Sequence, residues 1–334
     1  MNWTAPVRIL LWPLSMIYGA VARARARLYA MGWLNLKHLK GAVISVGNLT
    51  VGGTGKTPMV IWLAEKFVAQ GKRVAILSRG YRGAPGTSDE IEMMKERLGD
   101  GAAFGVGKNR YEQGRLLEAR GIDIFLLDDG FQHLQLARDV DILLMDASRP
   151  LDRETLLPAG PLREPLSAMK RAHLLVFTRT ETTAGSSDVI TRLRNYPIFA
   201  ASARLLGFRL LGGDKTLLAI DAIGTGPFYP FCGIGNPRAF FWNLELWHVP
   251  VRGNIFFADH HRYTGSDARQ IEEHAVEAGA RALITTEKDA QNLKDVSFEK
   301  FPVYVAVIDL DIVPEDEFLG AIDRLLEARR GQLN

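Results

Sequence analysis

GNLTVGGTGKTP, residues 47–58, is the part of the sequence from which the fold class can be read. The apolar run before it, GAVISVGNL, predicts a buried strand. PMVIWLAEKFVAQG, which follows, predicts a helix with Pro58 in its first turn and a glycine after its end. A strand, a glycine loop and a helix N-terminus in this order are typical of a phosphate-binding loop, or P-loop.

This loop departs from the strict P-loop pattern, because Thr50 stands where the first glycine is usual. Its other glycines still allow backbone N–H groups to close around phosphate oxygens. Lys56 would meet the β- and γ-phosphates, and the Thr57 hydroxyl suits magnesium. The alternative is a plain strand-to-helix turn with a solvated lysine. The predicted nucleotide-binding residues are Thr50, Val51, Gly52, Gly53, Thr54, Gly55, Lys56, Thr57 and Pro58.

Composition indicates a folded chain with room for two cores, since 334 residues are 47% hydrophobic and 24% charged. The single cysteine, Cys232, cannot form an internal disulfide. The net charge of +3 is unevenly spread, because residues 1–64 hold seven basic residues and no acidic one. The remaining 34 basic and 38 acidic residues therefore carry −4, which argues against general nucleic-acid binding.

The N-terminal segment has an apolar run from Ile9 to Ala22 that is followed by Arg23, Arg25 and Arg27. The run is shorter than the roughly 20 residues that cross a bilayer, so we expect it to lie on an anionic membrane surface. Arginines after the apolar run would keep that end in the cytoplasm. An organellar transit peptide and a buried first helix are the alternatives.

Beyond the glycine loop, apolar strands alternate with helices, which predicts an α/β fold with a mainly parallel sheet covered by helices on both faces. The sequence predicts four regions: a membrane-associated helical segment (1–40), a P-loop NTPase-type domain (41–200), a β-hairpin linker around Gly-Gly-Asp-Lys (201–222) and a smaller C-terminal α/β domain (223–334).

IFLLDDG, residues 124–130, predicts an apolar strand that ends in two carboxylates. Ligands bind beyond the carboxyl ends of strands in this class of sheet, so Asp128 is placed to reach magnesium. Asp129 would support it as a further metal ligand or cap a helix, and Gln132 and His133 follow near the same edge. Ordinary turn acids and a structural histidine are the alternatives.

Six motifs in this order resemble those of the tetraacyldisaccharide 4′-kinase family, also called LpxK: SVGNLTVGGTGKTP, SRGY, LDDGFQHLQLARD, LLPAGPLREPLS, ADHH and TTEKDA. The resemblance covers nearly the whole chain. It implies transfer of phosphate from ATP, with Mg²⁺, to the 4′-hydroxyl of an acylated glucosamine disaccharide 1-phosphate, giving lipid IVA at the cytoplasmic face of the bacterial inner membrane. It also implies a cleft between two domains, and no obligate protein partner is evident.

The resemblance assigns catalysis to Lys56, Asp128 and an acid–base pair. The family's Gly-Asp-Glu motif aligns with Asp89 and Glu90, with Ser88 in place of glycine, and its histidine aligns with His260. Asp100 and His261 are the alternatives. We expect Asp89 from the first domain to meet His260 from the second when the domains close.

Substrate contacts are predicted at charged and polar residues of the remaining motifs. Arg163 could grip a phosphate through its planar fork, although a surface Arg163–Glu164 pair is an equal alternative. Glu287, Lys288 and Asp289 follow a predicted strand of the second domain. The predicted substrate residues are Arg79, Tyr81, Arg110, Gln132, His133, Arg163, Glu164 and Glu287.

Two other classes compete with a kinase. A P-loop switch protein, such as a GTPase metallochaperone or a partitioning ATPase, would hydrolyse nucleotide without phosphorylating a small substrate. The chain has no guanine-reading Asn-Lys-x-Asp and no cysteine pair for a metal, and Thr50 and Val51 replace the signature lysine of partitioning ATPases. A non-catalytic membrane scaffold would leave Lys56 and Asp128 without a role.

Overall fold

The computed structural model of the chain describes residues 5–80, 88–148, 154–180, 193 and 196–333. They fall into two compact units. Unit 1 comprises Met1–Gly86, Leu98–Ser202 and Asp311–Asn334, and unit 2 comprises Thr87–Arg97 and Ala203–Leu310.

The described residues contain strands and helices that alternate along much of the chain. The strands are β1 (Ala42–Asn48), β2 (Val74–Ser78), β3 (Ala102–Val106), β4 (Ile124–Asp128), β5 (Val140–Asp146), β6 (Leu174–Thr178), β7 (Ile198–Leu210), β8 (Phe228–Cys232), β9 (Ile255–Phe256), β10 (Ala282–Thr286) and β11 (Val303–Val313). The helices are α1 (Ala5–Ala30), α2 (Lys56–Ala69), α3 (Asp89–Leu98), α4 (Arg110–Leu117), α5 (Pro237–Leu246), α6 (Gly265–Glu277), α7 (Glu287–Gln291) and α8 (Glu315–Leu333).

Unit 1 is built on a parallel sheet in the order β3-β2-β4-β1-β5-β6-β7. Strands such as β4 and β5 are buried along their whole length, as expected where both faces of a parallel sheet are covered. Phe125 and Leu77 pack with Leu117 of α4 in one core. Trp62 of α2 packs against Phe318 of α8, with 5.9 Å between ring centroids. The predicted α/β class is therefore confirmed.

Unit 2 has a smaller sheet in the order β7-β11-β10-β8-β9, in which β8, β9, β10 and β11 pair in parallel. Phe228 and Ile284 lie in one core with Leu244 of α5. Phe231 and Leu283 lie in a second core with Ile271 of α6. The helix α6 begins at a capping box, in which Thr264 and Asp267 exchange side-chain and backbone hydrogen bonds.

The two units differ from the predicted domain boundaries in two segments. Residues 89–97 were expected in the first domain, but α3 belongs to unit 2, where Arg97 forms an ion pair with Glu287 (3.3 Å) and Glu96 forms one with Arg209 (2.8 Å). The final helix was expected in the second domain, but it belongs to unit 1, because Phe318 packs on Trp62 and Phe199. Ion pairs with residues distant in sequence connect α3 to unit 2, and aromatic contacts with distant residues connect the final helix to unit 1.

The predicted hairpin around residues 201–222 is also reduced. β7 is a single strand of 13 residues. Phe208 and Leu218 pair by two backbone hydrogen bonds of 2.8 and 2.7 Å, and they form an isolated antiparallel bridge rather than two long paired runs.

Helix α1 is longer than the apolar run that predicted it, because it continues through the arginines to Ala30. In the described residues it is the one helix long and apolar enough to cross a membrane. One face packs on the rest of unit 1, where Ser15 donates to the Leu156 carbonyl (2.9 Å) and the Tyr18 hydroxyl donates to the Arg163 carbonyl (2.9 Å). The other face is apolar and open, with Ile9 74%, Leu10 78% and Ile17 63% exposed.

Candidate active site

The carboxyl edge of the unit 1 sheet is lined by polar residues. Five parallel strands, β1, β2, β4, β5 and β6, each end in a buried polar side chain, and ligands bind at this edge in sheets of this class. These residues are Asn48, Ser78, Asp128, Asp146 and Thr178. The glycine loop leaves the same edge, directly after Asn48.

The loop delivers the N-terminus of α2 without a cap. Gly55 is the N-cap residue in the left-handed conformation (φ 83°), and it makes no side-chain cap hydrogen bond to the 14-residue helix. Gly52 also has a positive φ, of 112°. An uncapped helix N-terminus presents several N–H donors and a partial positive charge, which together favour an anion.

The two ends of the predicted nucleotide-binding stretch offer fewer backbone N–H donors for a phosphate than expected. The Val51 N–H donates to the Pro161 carbonyl at 2.8 Å, and Thr50 forms a bridge with Leu162, so this backbone is used to hold the loop to the 156–163 segment. Pro58 lies in the first turn of α2 and has no N–H to donate. The available donors are therefore narrowed to residues 52–57.

Lys56 is held by two groups at this edge. Its Nζ donates to Asn48 Oδ1 at 3.3 Å and lies 3.6 Å from Asp129 Oδ1, and the side chain is 14% exposed. A lysine held at its tip in this way loses little side-chain entropy when it binds a phosphate. This is the arrangement expected for a lysine that binds phosphate.

Asp128 is the last residue of β4, and it accepts a hydrogen bond from Ser78 Oγ at 3.1 Å. Burial and the neighbouring Asp129 carboxylate raise the pKa of Asp128, against the attraction of Lys56 and the hydrogen bond from Ser78. A buried carboxylate whose charge is only partly balanced is suited to receive a cation.

Asp129 is bound differently from Asp128. Both of its oxygens accept from Arg163 Nη1, at 2.9 and 2.7 Å, and its backbone has a positive φ of 48°. Burial opposes its ionisation, but Lys56 and Arg163 outweigh burial and lower the pKa of Asp129. As placed, Asp129 holds Lys56 and Arg163, and the metal-ligand role expected of it from the sequence stays a prediction. Arg163 pairs with Asp129 and not with Glu164.

Buried Arg110 and half-buried His133 form a polar pair beside Asp128. Arg110 Nη1 lies 3.3 Å from His133 Nδ1, and its Nη2 donates to the Asp128 carbonyl at 3.5 Å. Burial lowers the pKa of His133 to about 4, and Arg110 and other arginines add to the effect. The ring is therefore neutral at pH 7, with Nδ1 as acceptor. His133 Nε2 and Arg110 Nε have no hydrogen-bond partner within the described part of the chain.

Four of the predicted substrate residues are placed away from that role or outside the described part. Glu164 forms a buried ion pair with Arg171 (2.9 Å), and Glu287 pairs with Arg97 and accepts from the Ile308 N–H. The Gln132 side-chain amide nitrogen donates a hydrogen bond to the Asn48 carbonyl at 2.9 Å. Tyr81 lies outside the described residues.

Arg79 is exposed just after β2. It therefore remains a candidate for substrate binding, with Arg110, His133 and Arg163.

Unit 2 contains the predicted acid–base pair. His260 Nδ1 lies 2.8 Å from Asp89 Oδ2 and 3.1 Å from Oδ1, although 171 residues separate the two in sequence. Both side chains are largely buried, at 16% and 8% exposed. The expectation that two different domains supply the pair is wrong, because both residues belong to unit 2.

Local structure fixes both members of the pair. Asp89 is the first residue of α3, and Ser88 Oγ accepts from the Ile91 N–H at 3.3 Å, so the serine that replaces glycine caps the helix. The His260 backbone has a positive φ of 61°, and its N–H donates to the Gly233 carbonyl at 3.1 Å. A Cβ at Gly233 would lie 3.0 Å from His261 Cβ and 3.1 Å from the Ala258 carbonyl, so a side chain there would require small shifts in this loop.

Lys288 lies beside the pair, together with Asp259 and Glu90. Its Nζ lies 2.9 Å from Asp259 Oδ1, 3.4 Å from His260 Nε2, and 3.6 Å from Glu90 Oε1. An ammonium group only donates, so His260 Nε2 accepts here, and Nδ1 carries the ring proton and donates a hydrogen bond to Asp89.

The charges around the pair set its proton affinity. The hydrogen bond to Asp89 raises the pKa of His260, against burial and the charge of Lys288. Burial opposes ionisation of Asp89, yet His260 and Lys288 together lower the pKa of Asp89 to about 2. The carboxylate stays ionised at pH 7, and the imidazole is the better proton acceptor of the two.

The residues that compete with this pair are used elsewhere. Asp100 lies in an exposed turn of unit 1. His261 stacks on Phe257 with centroids 4.6 Å apart, and its Nε2 lies 3.2 Å from Asp267 in the α6 capping box. Asp289 is buried and accepts from the Gly233 N–H and the Tyr263 hydroxyl, so within TTEKD it is Lys288 that reaches the pair.

The residues of unit 1 fit ATP with magnesium. The uncapped α2 N-terminus and Lys56 suit phosphates, and the Thr54 hydroxyl, on a residue only 4% exposed, is buried without a partner in the ranges described. Thr57 and Asp128 offer the hard oxygen ligands that magnesium prefers.

Comparison with known proteins agrees with this chemistry. The sequence profile of the family described as LpxK, tetraacyldisaccharide-1-P 4′-kinase, matches residues 7–327. The chain belongs to this family. It is 40% identical to the tetraacyldisaccharide 4′-kinase of Geobacter metallireducens, over 96% of this chain and 98% of that protein. It is 39% identical to that of Geobacter sulfurreducens, over 93% and 91%.

A solved structure is similar over almost the whole chain. LpxK from Aquifex aeolicus in complex with ATP superposes with a TM-score of 0.74 at 30% sequence identity, over 96% of this chain and 99% of that one. That protein's ATP complex agrees with the fit of the glycine loop to nucleotide phosphates.

Sequence reasoning missed four residues of the site: Asn48, Ser78, Arg179 and Lys288 as a contact of the pair. Asn48 and Ser78 each end a predicted apolar strand at the ligand-binding edge, which is the signal that could have found them. Arg179 donates to the Gly53 carbonyl, and no local pattern indicated it.

Proposed function

We propose that this chain transfers the γ-phosphate of ATP to the 4′-hydroxyl of tetraacyldisaccharide 1-phosphate, which gives lipid IVA. The observation that carries the proposal is the uncapped N-terminus of α2 beside an anchored Lys56, in a chain of this family. The reaction needs three things: a phosphate donor site, charge to offset the transferred group, and an acceptor for the proton of the hydroxyl.

Unit 1 supplies the donor site and the charge. N–H groups of residues 52–57 would bind the phosphates, and Lys56 would stabilise charge on the transferred group. A magnesium ion bound with the nucleotide supplies further charge neutralisation, and Thr57 and Asp128 would hold it. Asp129 orients Lys56 and Arg163 beside this site.

Unit 2 supplies the proton acceptor. Asp89 holds His260 through Nδ1, so Nε2 is the nitrogen that would take the hydroxyl proton. Lys288 occupies Nε2 in this structure and must yield it to the hydroxyl. Once the imidazole is protonated, the ionised Asp89 carboxylate stabilises it.

Because the proposed substrate carries acyl chains, we expect the reaction to take place at a membrane surface. The open apolar face of α1 and the arginines after it would bind an anionic bilayer, and we place the chain on the cytoplasmic face of the bacterial inner membrane as a peripheral or monotopic protein. Arg163 and Arg110 remain the candidates for the 1-phosphate or a nucleotide phosphate.

The test is a thin-layer assay with purified protein, γ-labelled ATP, Mg²⁺ and the disaccharide 1-phosphate in mixed micelles. The proposal expects label in lipid IVA, and ADP release that depends on the lipid. A chain that releases ADP equally with and without the lipid would instead be a P-loop switch ATPase or GTPase, which is the second class considered from the sequence.

A further inference from the structure

The end of β6 contacts the glycine loop from its outer side. Thr178 Oγ1 lies 3.3 Å from the Thr54 carbonyl and 3.4 Å from the Met145 carbonyl, so its single O–H is shared between these two acceptors. Arg179 Nη2 donates to the Gly53 carbonyl at 2.6 Å. Two successive carbonyls of the loop are thus bound by two successive residues of one strand end.

This contact fixes the direction of two N–H groups. In a trans peptide unit the carbonyl and the following N–H point in opposite directions. With the Gly53 and Thr54 carbonyls held towards β6, the N–H groups of Thr54 and Gly55 point away from β6. A loop that binds phosphate has to present N–H groups to the ligand and keep its carbonyls away from the anion.

The anchors of this contact are themselves rigid. Thr178 is 5% exposed, and its carbonyl accepts from the Ala147 N–H at 2.9 Å. The Arg179 guanidinium also pairs with the buried carboxylate of Asp146, which is further held by the Ser148 N–H at 3.0 Å. The glycine loop is therefore held by two residues at the end of β6 that are themselves fixed by hydrogen bonds and an ion pair.

The backbone conformation of Arg179 is a second observation that supports a role for this contact. In the part of the chain that the structure describes, four residues other than glycine have a positive φ: Asp129, Arg179, His248 and His260. Asp and His adopt this conformation relatively often, whereas arginine does not. Arg179, with a φ of 60°, keeps a disfavoured backbone, and strain of this kind persists where the surroundings require it, often at functional sites.

We propose that Thr178 and Arg179 form a carbonyl clamp, a pair of positioning residues that hold the glycine loop so that the Thr54 and Gly55 N–H groups face the nucleotide phosphates. The clamp rests on the proposed function, because it acts through ATP binding. It sets nucleotide affinity and takes no part in the proton transfer by Asp89 and His260.

The test measures binding of ATP and ADP to the full chain by calorimetry, with variants Arg179→Gly, Thr178→Val and the control Arg73→Gln. Glycine adopts a positive φ without strain. Arg179→Gly therefore removes the guanidinium contact with the Gly53 carbonyl and also relieves the backbone strain at residue 179. Arg73→Gln removes an exposed ion pair with Asp123 in the same unit. Melting temperature without nucleotide is measured for every variant.

We expect Kd for ATP to rise about tenfold in Arg179→Gly and about threefold in Thr178→Val, with Arg73→Gln unchanged. In turnover assays KM for ATP should rise while kcat at saturating ATP stays within about twofold. A Kd within about twofold of wild type in Arg179→Gly would overturn the clamp, including where the melting temperature alone falls. Wild-type protein that binds no ATP would overturn the proposed function, and the clamp with it.

Discussion

The glycine-loop site of unit 1 and the Asp89–His260 pair of unit 2 are built in different ways. The first is made mostly of backbone, since the short loop between β1 and α2 delivers glycines, a helix N-terminus and Lys56 together. The second is made of side chains that the chain brings together from α3, α7 and the loop after β9. A site carried by one short segment can be recognised from local sequence, whereas a site carried by distant segments depends on the fold.

The two regions also use charge in opposite ways. In unit 1 the half-buried carboxylate of Asp129 holds Lys56 and Arg163, while the buried carboxylate of Asp128 has a charge that is only partly balanced. In unit 2 carboxylates and Lys288 surround one imidazole and set how readily it takes a proton. Substitutions in unit 1 should therefore change phosphate binding and transfer, and substitutions in unit 2 should change the pH dependence.

The largest effect is expected from Lys56→Met. It should lower phosphoryl transfer by at least about 10³-fold, because the lysine offsets charge that develops on the transferred group. Steady-state kinetics with saturating ATP measures this, with Lys72→Met, an exposed lysine of the same unit, as the control. Near-normal turnover of Lys56→Met would remove the P-loop assignment and with it the first half of the comparison.

Asp89→Ala and His260→Ala should each lower kcat by about 10² to 10⁴, the usual contribution of a general base. KM for ATP should change little, because the pair takes no part in nucleotide binding. The matched control is Asp100→Ala, which removes the exposed alternative carboxylate. If Asp100→Ala lost activity and Asp89→Ala kept it, the pair would be structural.

The open face of α1 should matter for membrane binding and not for the chemical step. The triple variant Ile9→Ser, Leu10→Ser and Ile17→Ser should weaken partitioning into anionic vesicles by at least roughly tenfold, since each buried aliphatic side chain contributes roughly 1.5–3 kcal/mol. Vesicle sedimentation measures this. The triple variant is a more specific test than a deletion of residues 1–28, because the deletion would also remove the contacts of Ser15 and Tyr18 with the 156–163 segment.

The control for that experiment is Leu116→Ser, which changes a side chain that is 73% exposed on α4. An unchanged partition of the triple variant would place the membrane anchor elsewhere in the chain.

The smallest effect is expected from Lys288→Met, and it is a shift in pH dependence. His260 must be neutral to accept a proton, so activity is lost as pH falls through its pKa. Asp89, Glu90 and Asp259 favour the protonated ring, and Lys288 opposes it. Without Lys288 the pKa of His260 rises further, so the acid limb of kcat moves to higher pH.

Rate profiles between about pH 5 and 9 measure this shift, and Lys288→Arg should restore the wild-type limb because it keeps the charge. A limb that stays in place in Lys288→Met would mean that another group, outside this cluster, titrates in the profile.

Much of unit 1 could be predicted from sequence because its signals are local. Apolar strands that end in Asn48 or Asp128, a glycine loop and a proline in the first turn of α2 are read within short windows. Site details decided by tertiary contacts could not be read in this way. The pairing of Arg163 with Asp129 instead of Glu164, and the use of the Val51 N–H by Pro161, need the folded 156–163 segment.

In unit 2 the pair was found by family resemblance, while its setting was not. Nothing near Asp89 in sequence indicates that α3 belongs with residues 203–310, since ion pairs to Glu287 and Arg209 decide it. Lys288 was placed only in general terms, because its distance to His260 depends on α7 and the loop after β9.

The claim that the unit 2 pair acts as one proton acceptor is tested most directly by single-turnover rates of Asp89→Ala, His260→Ala and the double variant, at saturating ATP. If the carboxylate works only through the imidazole, the double variant should be scarcely slower than the slower single variant. Losses that multiply in the double variant would mean that the two residues act independently, and would contradict the account.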